Sequence, residues 1–159
     1  MSTDPAVLGD IHDIVTLKHR YGRCLDNRLW EEFGSTLAPD ATARYGTVSQ
    51  GEPLHFDGRE AIVDYMRESL RGSIVTVHTL GNPEIAVDGD TATGSWSMSD
   101  VVIVPDFDTV ITGTSYYTDR YARIDGEWCI SRTEYYRLYE AVTPMSGTGM
   151  KLIANRWAD

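Results

Sequence analysis

Apolar residues recur at helical spacing in three segments of the first seventy residues. The first segment is long, and its apolar face is formed by Ile14, Leu17, Tyr21, Cys24 and Leu25. A short second helix is indicated at 30–37, because Pro39 follows it. A third helix is predicted after Asp57 and Glu60, which have capping-box spacing, and it runs through Leu70. The pattern therefore predicts three N-terminal helices.

The second half of the chain has the pattern of β-strands. Runs rich in Val, Ile, Thr, Tyr and Trp lie at 74–80, 84–87, 91–104, 109–124 and 127–139, and an earlier strand is predicted at 41–49. The sequences VDGD and IDGE lie between neighbouring runs and are typical of hairpin turns. Helices followed by meander strands predict an α+β fold with the helices on one face of a curved sheet.

The chain is predicted to be one domain with a tail. Its 159 residues are enough to bury one sizeable core, and we place the domain at 1–142. Residues 143–159 combine Gly, Ser and Thr with apolar residues such as Trp157. This composition indicates a lid or an intersubunit arm.

Charge and composition exclude several classes of partner. The net charge is −10 and there is no cluster of Lys and Arg, so neither nucleic acid nor an anionic membrane surface is expected to bind. No stretch approaches the ~20 apolar residues of a membrane span, and the first residues lack a signal-peptide pattern. Cys24 and Cys129 lie in apolar patterns. A cytoplasmic location is the expectation.

Two ionisable residues are predicted to lie on apolar strand faces. Alternation places Asp100 on the same side as Trp96 and Met98. His78 shares its face with Ile74 and Leu80. A buried carboxylate or imidazole needs a partner, and such groups are frequent at functional sites.

Other polar residues are candidates for the same site. Tyr21 lies within the apolar stripe of the first helix, so its hydroxyl needs a buried partner. Asp26 lies at the edge of that stripe and could turn toward His78, while Tyr45 and Arg137 could complete a polar lining. Each residue taken alone also has a purely structural interpretation, as a satisfied core side chain or a surface ion pair.

Metal and cofactor binding are not predicted. His12 and His19 share a helix face, but seven residues separate them by about 10.5 Å, too far for one ion. There is no phosphate-binding glycine loop and no Cys, His or Asp cluster with ligand spacing.

Four segments resemble the SnoaL-like family over nearly the whole chain: RYGRCLDNRLWEEFGSTLAPDATARYG, FDGREAIVDYM, TVHTLGNPEIAVDGDTATGSW and YYTDRYARIDGEWCISRTEYYRLY. That family belongs to a superfamily with ketosteroid isomerase, scytalone dehydratase and the nuclear transport factor. The resemblance implies three helices packed on a strongly curved mixed or antiparallel sheet that forms a cone-shaped pocket. It also implies a homo-oligomer, with a trimer favoured, and no cofactor.

The polar residues make the resemblance more specific, because they match the active sites of particular enzymes. Six of them resemble the active-site set of the bile acid 7α-dehydratases: Tyr21, Asp26, Tyr45, His78, Asp100 and Arg137. The pair Asp26 and His78 also resembles the catalytic dyad of hexachlorocyclohexane dehydrochlorinase. These enzymes eliminate H–X across a C–C bond. The implied activity is a dehydratase that removes water from a hydrophobic ring substrate, such as a steroid or polyketide.

The implied roles follow ordinary acid–base chemistry. His78 is the expected general base and Asp26 orients it. Tyr21 donates to the developing enolate oxygen or to the departing hydroxyl. Asp100 protonates the leaving hydroxyl if apolar surroundings keep it neutral. Tyr45 and Arg137 position the substrate, with Arg137 facing a carboxylate or thioester oxygen.

Other activities remain compatible with this pattern. An isomerase or cyclase on the same scaffold would move a proton without expelling a group. A non-catalytic role is the second alternative, either a ligand-binding protein or a relative of the β-subunit of ring-hydroxylating oxygenases. Fold resemblance alone does not decide among them.

Overall fold

The computed structural model of the chain describes residues 4–47 and 51–158. Residues 1–3, 48–50 and 159, which include the end of the strand predicted at 41–49, lie outside the described residues. The helices in the described part are α1 (Pro5–Asp26), α2 (Trp30–Ser35), α3 (Arg59–Ser69) and α4 (Met145–Thr148). The strands are β1 (Leu37–Gly46), β2 (Leu54–Asp57), β3 (Val75–Asp88), β4 (Thr91–Val104), β5 (Thr109–Ile124) and β6 (Glu127–Pro144).

The six strands form one mixed sheet in the order β2-β1-β6-β5-β4-β3. The β1–β6 pair is parallel, and the other neighbours are antiparallel. The α+β prediction is confirmed. The expected set of three N-terminal helices is incomplete, because α4 adds a fourth helix after β6. Its four residues are too few to produce a helical period in the sequence.

Most strand predictions agree closely with the structure. β4 and β5 have the predicted bounds, whereas the two runs predicted at 74–80 and 84–87 are one strand with a register shift between Gly81 and Glu84. β2 was not predicted, because it has only four residues.

β6 contains two bulges that set which side chains face the helices. Ser131 and Leu138 are extra residues relative to β5, since the register passes from Arg132 to Ile130 and from Tyr139 to Arg137. A bulge reverses the phase of the two-residue alternation. Arg137 and Glu140 consequently both point inward although three positions separate them.

α1 packs closely against β3. The side chain of Leu80 approaches Gly22 so closely that a Cβ atom at residue 22 would lie 2.9 Å from Leu80 Cδ1. This approach brings the end of α1 over the middle of β3. Among the helices of the described ranges, none is long and apolar enough to cross a membrane.

A buried ion pair links α1 to the sheet interior. Lys18 Nζ lies 2.7 Å from Asp119 Oδ2, and both side chains are fully buried. The Tyr121 hydroxyl donates to the same oxygen at 2.9 Å, and Trp96 donates to Tyr121. Lys18 Nζ also lies 3.7 Å from the ring centroid of Tyr117. Burial lowers the pKa of Lys18, although Asp119 opposes the shift.

We expect the substitution Asp119→Asn to lower the free energy of unfolding by about 3–5 kcal/mol, because it leaves the Lys18 charge buried without a counter-charge. Glu68→Gln is the matched control, because Glu68 pairs with Arg71 on the exposed surface of the protein; it should change the free energy by less than about 1 kcal/mol. Urea denaturation of both variants measures the difference. Equal effects would contradict the structural importance of the buried pair.

The tail after α4 lies against its own chain. Asn155 Nδ2 donates to the Ser73 carbonyl at 2.8 Å, and Arg156 Nη1 donates to Asn27 Oδ1 at 2.7 Å. These contacts carry the tail across to the end of α1.

Candidate active site

A cavity of about 240 Å³ lies between α3 and the sheet. Four of the six predicted site residues line it: Tyr45, His78, Asp100 and Arg137. Much of its wall is apolar and includes Leu25, Met66, Leu70, Ile74, Val102 and Ile111. An apolar cavity with a few convergent polar groups is the usual form of a small-molecule site.

His78 is held by the carboxylate at the end of α1. Its Nδ1 lies 2.6 Å from Asp26 Oδ1, and its backbone N–H donates to Asp26 Oδ2 at 2.8 Å. The Thr76 hydroxyl donates to Asp26 Oδ1 at 2.9 Å. The contact expected between Asp26 and His78 is therefore present, with both side chains largely buried at 18% and 15% exposure.

This contact decides which ring nitrogen is free to react. An ionised carboxylate only accepts hydrogen bonds, so Nδ1 of His78 carries the proton. In the neutral ring, the second nitrogen, Nε2, is then the acceptor. His78 lines the cavity while Asp26 lies behind it, which is the geometry that a base with an orienting carboxylate requires.

The backbone next to Asp26 is held in place by contacts of Arg28. Arg28 Nη2 donates to the carbonyls of Gly72 and Ile74 at 3.0 and 2.7 Å. The indole of Trp157 covers the Arg28 guanidinium at 4.2 Å. The tail therefore helps to fix the backbone next to Asp26.

Asp100 is paired with Arg137 across the sheet. Arg137 donates from Nη1 to Asp100 Oδ1 at 2.5 Å and from Nη2 to Oδ2 at 2.9 Å, and the two side chains are 6% and 4% exposed. Burial lowers the pKa of Arg137, but the hydrogen bonds and charge of Asp100 outweigh it, so the net shift is upward.

The Asp100–Arg137 pair bears on the role expected of Asp100, which required apolar surroundings. Asp100 lies on the inner face of β4 as predicted, but its surroundings are not purely apolar. Both oxygens of Asp100 accept hydrogen bonds from the guanidinium, so they are occupied on the side where a leaving group would need a donor. Asp100 is consequently a poor candidate for the acid that protonates a leaving group.

Arg137 reaches Asp100 because the intervening strand has no side chain there. Asp100 on β4 pairs with Gly113 on β5, and Arg137 lies on β6, one strand further. A Cβ atom at residue 113 would lie 2.7 Å from Arg137 Nη1 and 2.8 Å from the Tyr139 carbonyl oxygen.

We predict that Gly113→Ala lowers the free energy of unfolding by about 1–3 kcal/mol, because the added methyl group overpacks the space that the guanidinium occupies. Gly81→Ala is the control in the same sheet, since no atom lies within 4 Å of its Cβ position. Chemical denaturation of the two variants provides the comparison. If Gly113→Ala were as stable as the control, Gly113 would not be needed for the crossing of Arg137.

Two tyrosines form a second polar element of the site. The hydroxyls of Tyr21 and Tyr45 are hydrogen-bonded at 3.1 Å. Burial raises the pKa of both phenols well above the usual range, so both stay protonated at neutral pH. Only Tyr45 of the two lines the cavity. Tyr21 therefore supports the Tyr45 hydroxyl from behind instead of facing a ligand directly.

Several lining residues were not singled out from the sequence. They are Thr76, Tyr117, Tyr135 and Glu140. Strand alternation places Thr76 beside His78 and could have indicated it. Glu140 could not be found in this way, because the bulge at Leu138 changes the phase of β6.

The ligand set of a metal ion is not present in the described parts of the chain. Within 4–47 and 51–158, no group of three or more His, Cys, Asp or Glu side chains is arranged so that it could hold one.

The chain matches the model of a known protein family. The SnoaL-like domain family matches residues 6–134. The chain belongs to this family. An uncharacterized protein of Mycobacterium tuberculosis (strain ATCC 25618 / H37Rv) is 28% identical over 129 residues, which cover 80% of this chain and 84% of that protein.

Solved structures share the fold of this SnoaL-like chain. An NTF2-like protein with a cystatin-like fold from Novosphingobium aromaticivorans is 26% identical, with a TM-score of 0.67 and 84% of each chain covered. A hexachlorocyclohexane dehydrochlorinase from Novosphingobium barchaimii LL02 is 20% identical, with a TM-score of 0.75 over 96% of this chain and 99% of that one. A candidate scytalone dehydratase from N. aromaticivorans DSM 12444 has a TM-score of 0.75 at 18% identity, covering 84% and 87%.

Proposed function

We propose that the protein is a cofactor-independent lyase that removes water from a small ring compound bearing a carbonyl group. The observation that carries the proposal is the Asp26–His78 pair, with His78 on the wall of an otherwise largely apolar cavity. The likeness to a dehydrochlorinase and to a candidate dehydratase agrees with a lyase or isomerase acting on a small molecule.

The first step is removal of a proton from the carbon next to the carbonyl. His78 Nε2 takes the proton, and Asp26 stabilises the imidazolium that forms. Negative charge then develops on the carbonyl oxygen. The Tyr45 hydroxyl, supported by Tyr21, donates a hydrogen bond to that oxygen.

The second step is loss of the hydroxyl group from the next carbon. The imidazolium of His78 returns its proton to the departing oxygen, so that water leaves and a carbon–carbon double bond remains. His78 thus ends neutral, and no separate acid is required. This assignment replaces Asp100, because Asp100 is paired with Arg137.

Cavity size bears on the class of substrate. A cavity of about 150 Å³ holds a benzene ring, so about 240 Å³ accommodates one substituted ring. A four-ring steroid skeleton would extend beyond this volume. Among the ring substrates expected from the sequence, a compound with one ring fits within the cavity, whereas a larger one would project through its open side.

The test uses 3-hydroxycyclohexanone, which becomes cyclohexenone on loss of water. We expect His78→Ala to lower kcat/KM for this elimination by about 10²–10⁴-fold, because the base is gone. His12→Ala is the control, since His12 is exposed on α1; it should retain wild-type activity. Formation of the conjugated enone is followed by absorbance, and circular dichroism confirms folding. Wild-type turnover by His78→Ala would exclude His78 as the base.

Product mass separates this proposal from the alternative reactions. A dehydratase product is lighter than its substrate by one water, whereas an isomerase or cyclase product has unchanged mass. Absence of any turnover by the wild-type protein would favour the non-catalytic alternative.

Assembly and the tail remain predictions. Large apolar side chains are exposed on the end of β6, including Tyr136, Leu138 and Val142. Such patches favour contact with another protein, which agrees with the expected homo-oligomer. The contacts of Asn155 and Arg156 within the chain agree with a tail that packs on its own subunit.

A further inference from the structure

Strand β3 is the outermost strand on one side of the sheet, so one edge of its backbone faces away from β4. The end of α1 covers part of that edge, because the His78 N–H donates to Asp26 Oδ2 at 2.8 Å. A buried backbone donor without a partner is costly. The Asp26 carboxylate thus takes the place of a neighbouring strand at this position.

Thr76 supplies a second donor to the same carboxylate. It lies two residues before His78, on the same face of β3. Its hydroxyl donates to Asp26 Oδ1 at 2.9 Å, and Nδ1 of His78 lies 2.6 Å from the same oxygen. Thr76 is only 7% exposed, so this hydrogen bond forms where the effective dielectric constant is low.

Two contacts outside the imidazole ring fix the plane of the carboxylate, whereas one contact does not. The torsion about the Cβ–Cγ bond of aspartate has a broad energy minimum, so the contact of Oδ2 with the His78 backbone alone would allow the carboxylate to rotate. The Thr76 hydroxyl holds the other oxygen. Oδ1 consequently stays within hydrogen-bonding distance of Nδ1 of His78.

We infer that Thr76 is a positioning residue of the pair: its hydroxyl fixes the Asp26 carboxylate, and the carboxylate in turn orients the His78 ring. The inference rests on the proposed function only for the use of the pair in proton transfer. Thr76 acts through Asp26, so it needs no contact with the reacting atoms. Its loss should therefore affect the chemical step and not the binding of substrate.

The chain offers a matched set of variants. Thr76→Val removes the hydroxyl and keeps a β-branched side chain of nearly the same shape. Thr76→Ser keeps the hydroxyl and removes the methyl group. Thr79→Val makes the same change as Thr76→Val on the same strand, but Thr79 is exposed and lies on the opposite face.

The direct test is the proton–nitrogen NMR spectrum of the His78 ring, in which the Nδ1–H resonance is assigned by its absence from His78→Ala. We expect the wild-type protein, Thr76→Ser and Thr79→Val to show this resonance. Thr76→Val should lose it, because a carboxylate that rotates no longer protects the proton from exchange with water.

The kinetics of water elimination from 3-hydroxycyclohexanone provide a second readout. Thr76→Val should lower kcat by about 10–100-fold and change KM by less than about twofold, because a misplaced base slows the chemical step without weakening substrate binding. Thr76→Ser should regain most of the lost kcat, and Thr79→Val should match the wild type. Circular dichroism confirms that each variant is folded.

A Thr76→Val spectrum identical to that of the wild type would overturn the inference. A resonance missing from the wild-type protein would do so too, because the pair would not be held. In a protein that eliminates water, equal kcat values for Thr76→Val and Thr79→Val would also overturn it. If the spectra behave as expected but the wild-type protein eliminates no water, the proposed function is contradicted and the positioning role of Thr76 stands.

Discussion

The Asp26 carboxylate joins the helical layer to the sheet, since it ends α1 and accepts hydrogen bonds from Thr76, from the His78 ring and from the His78 backbone. A negative charge at the C-terminus of a helix is unfavourable, because the helix dipole has its negative end there. Three donors from β3 offset that cost. A residue that breaks a local rule and is stabilised by distant partners is typical of a functional site.

The polar side of the cavity depends on two features of the sheet that carry no functional group themselves. Gly113 leaves space for the Arg137 guanidinium to cross β5, and the bulge at Leu138 turns both Arg137 and Glu140 inward. Asp100 gains its partner from this crossing. The same geometry holds both oxygens of Asp100 on the guanidinium, so the local backbone determines which polar groups face the ligand.

Local patterns in the sequence predict the elements of this fold well and its tertiary pairings poorly. β4 and β5 have the predicted bounds because long alternating runs between Asp-Gly turns are strong signals. β2 and α4 are too short to have a period. Alternation predicted which face of β4 carries Asp100. It could not predict the partner on β6, because a contact from β4 to β6 across β5 depends on Gly113 and on a bulge. Likewise, the spacing within α1 placed Tyr21 in the core but could not show that Tyr45 separates it from the cavity.

In the mechanism that we propose, Nε2 of His78, oriented by Asp26, removes a proton from carbon. Hydrogen–deuterium exchange at the α-carbon of cyclohexanone in D₂O measures this step without any leaving group. We predict that the wild-type protein accelerates the exchange and that His78→Ala does not, while His12→Ala behaves as the wild type. Exchange by His78→Ala at the wild-type rate would contradict the account.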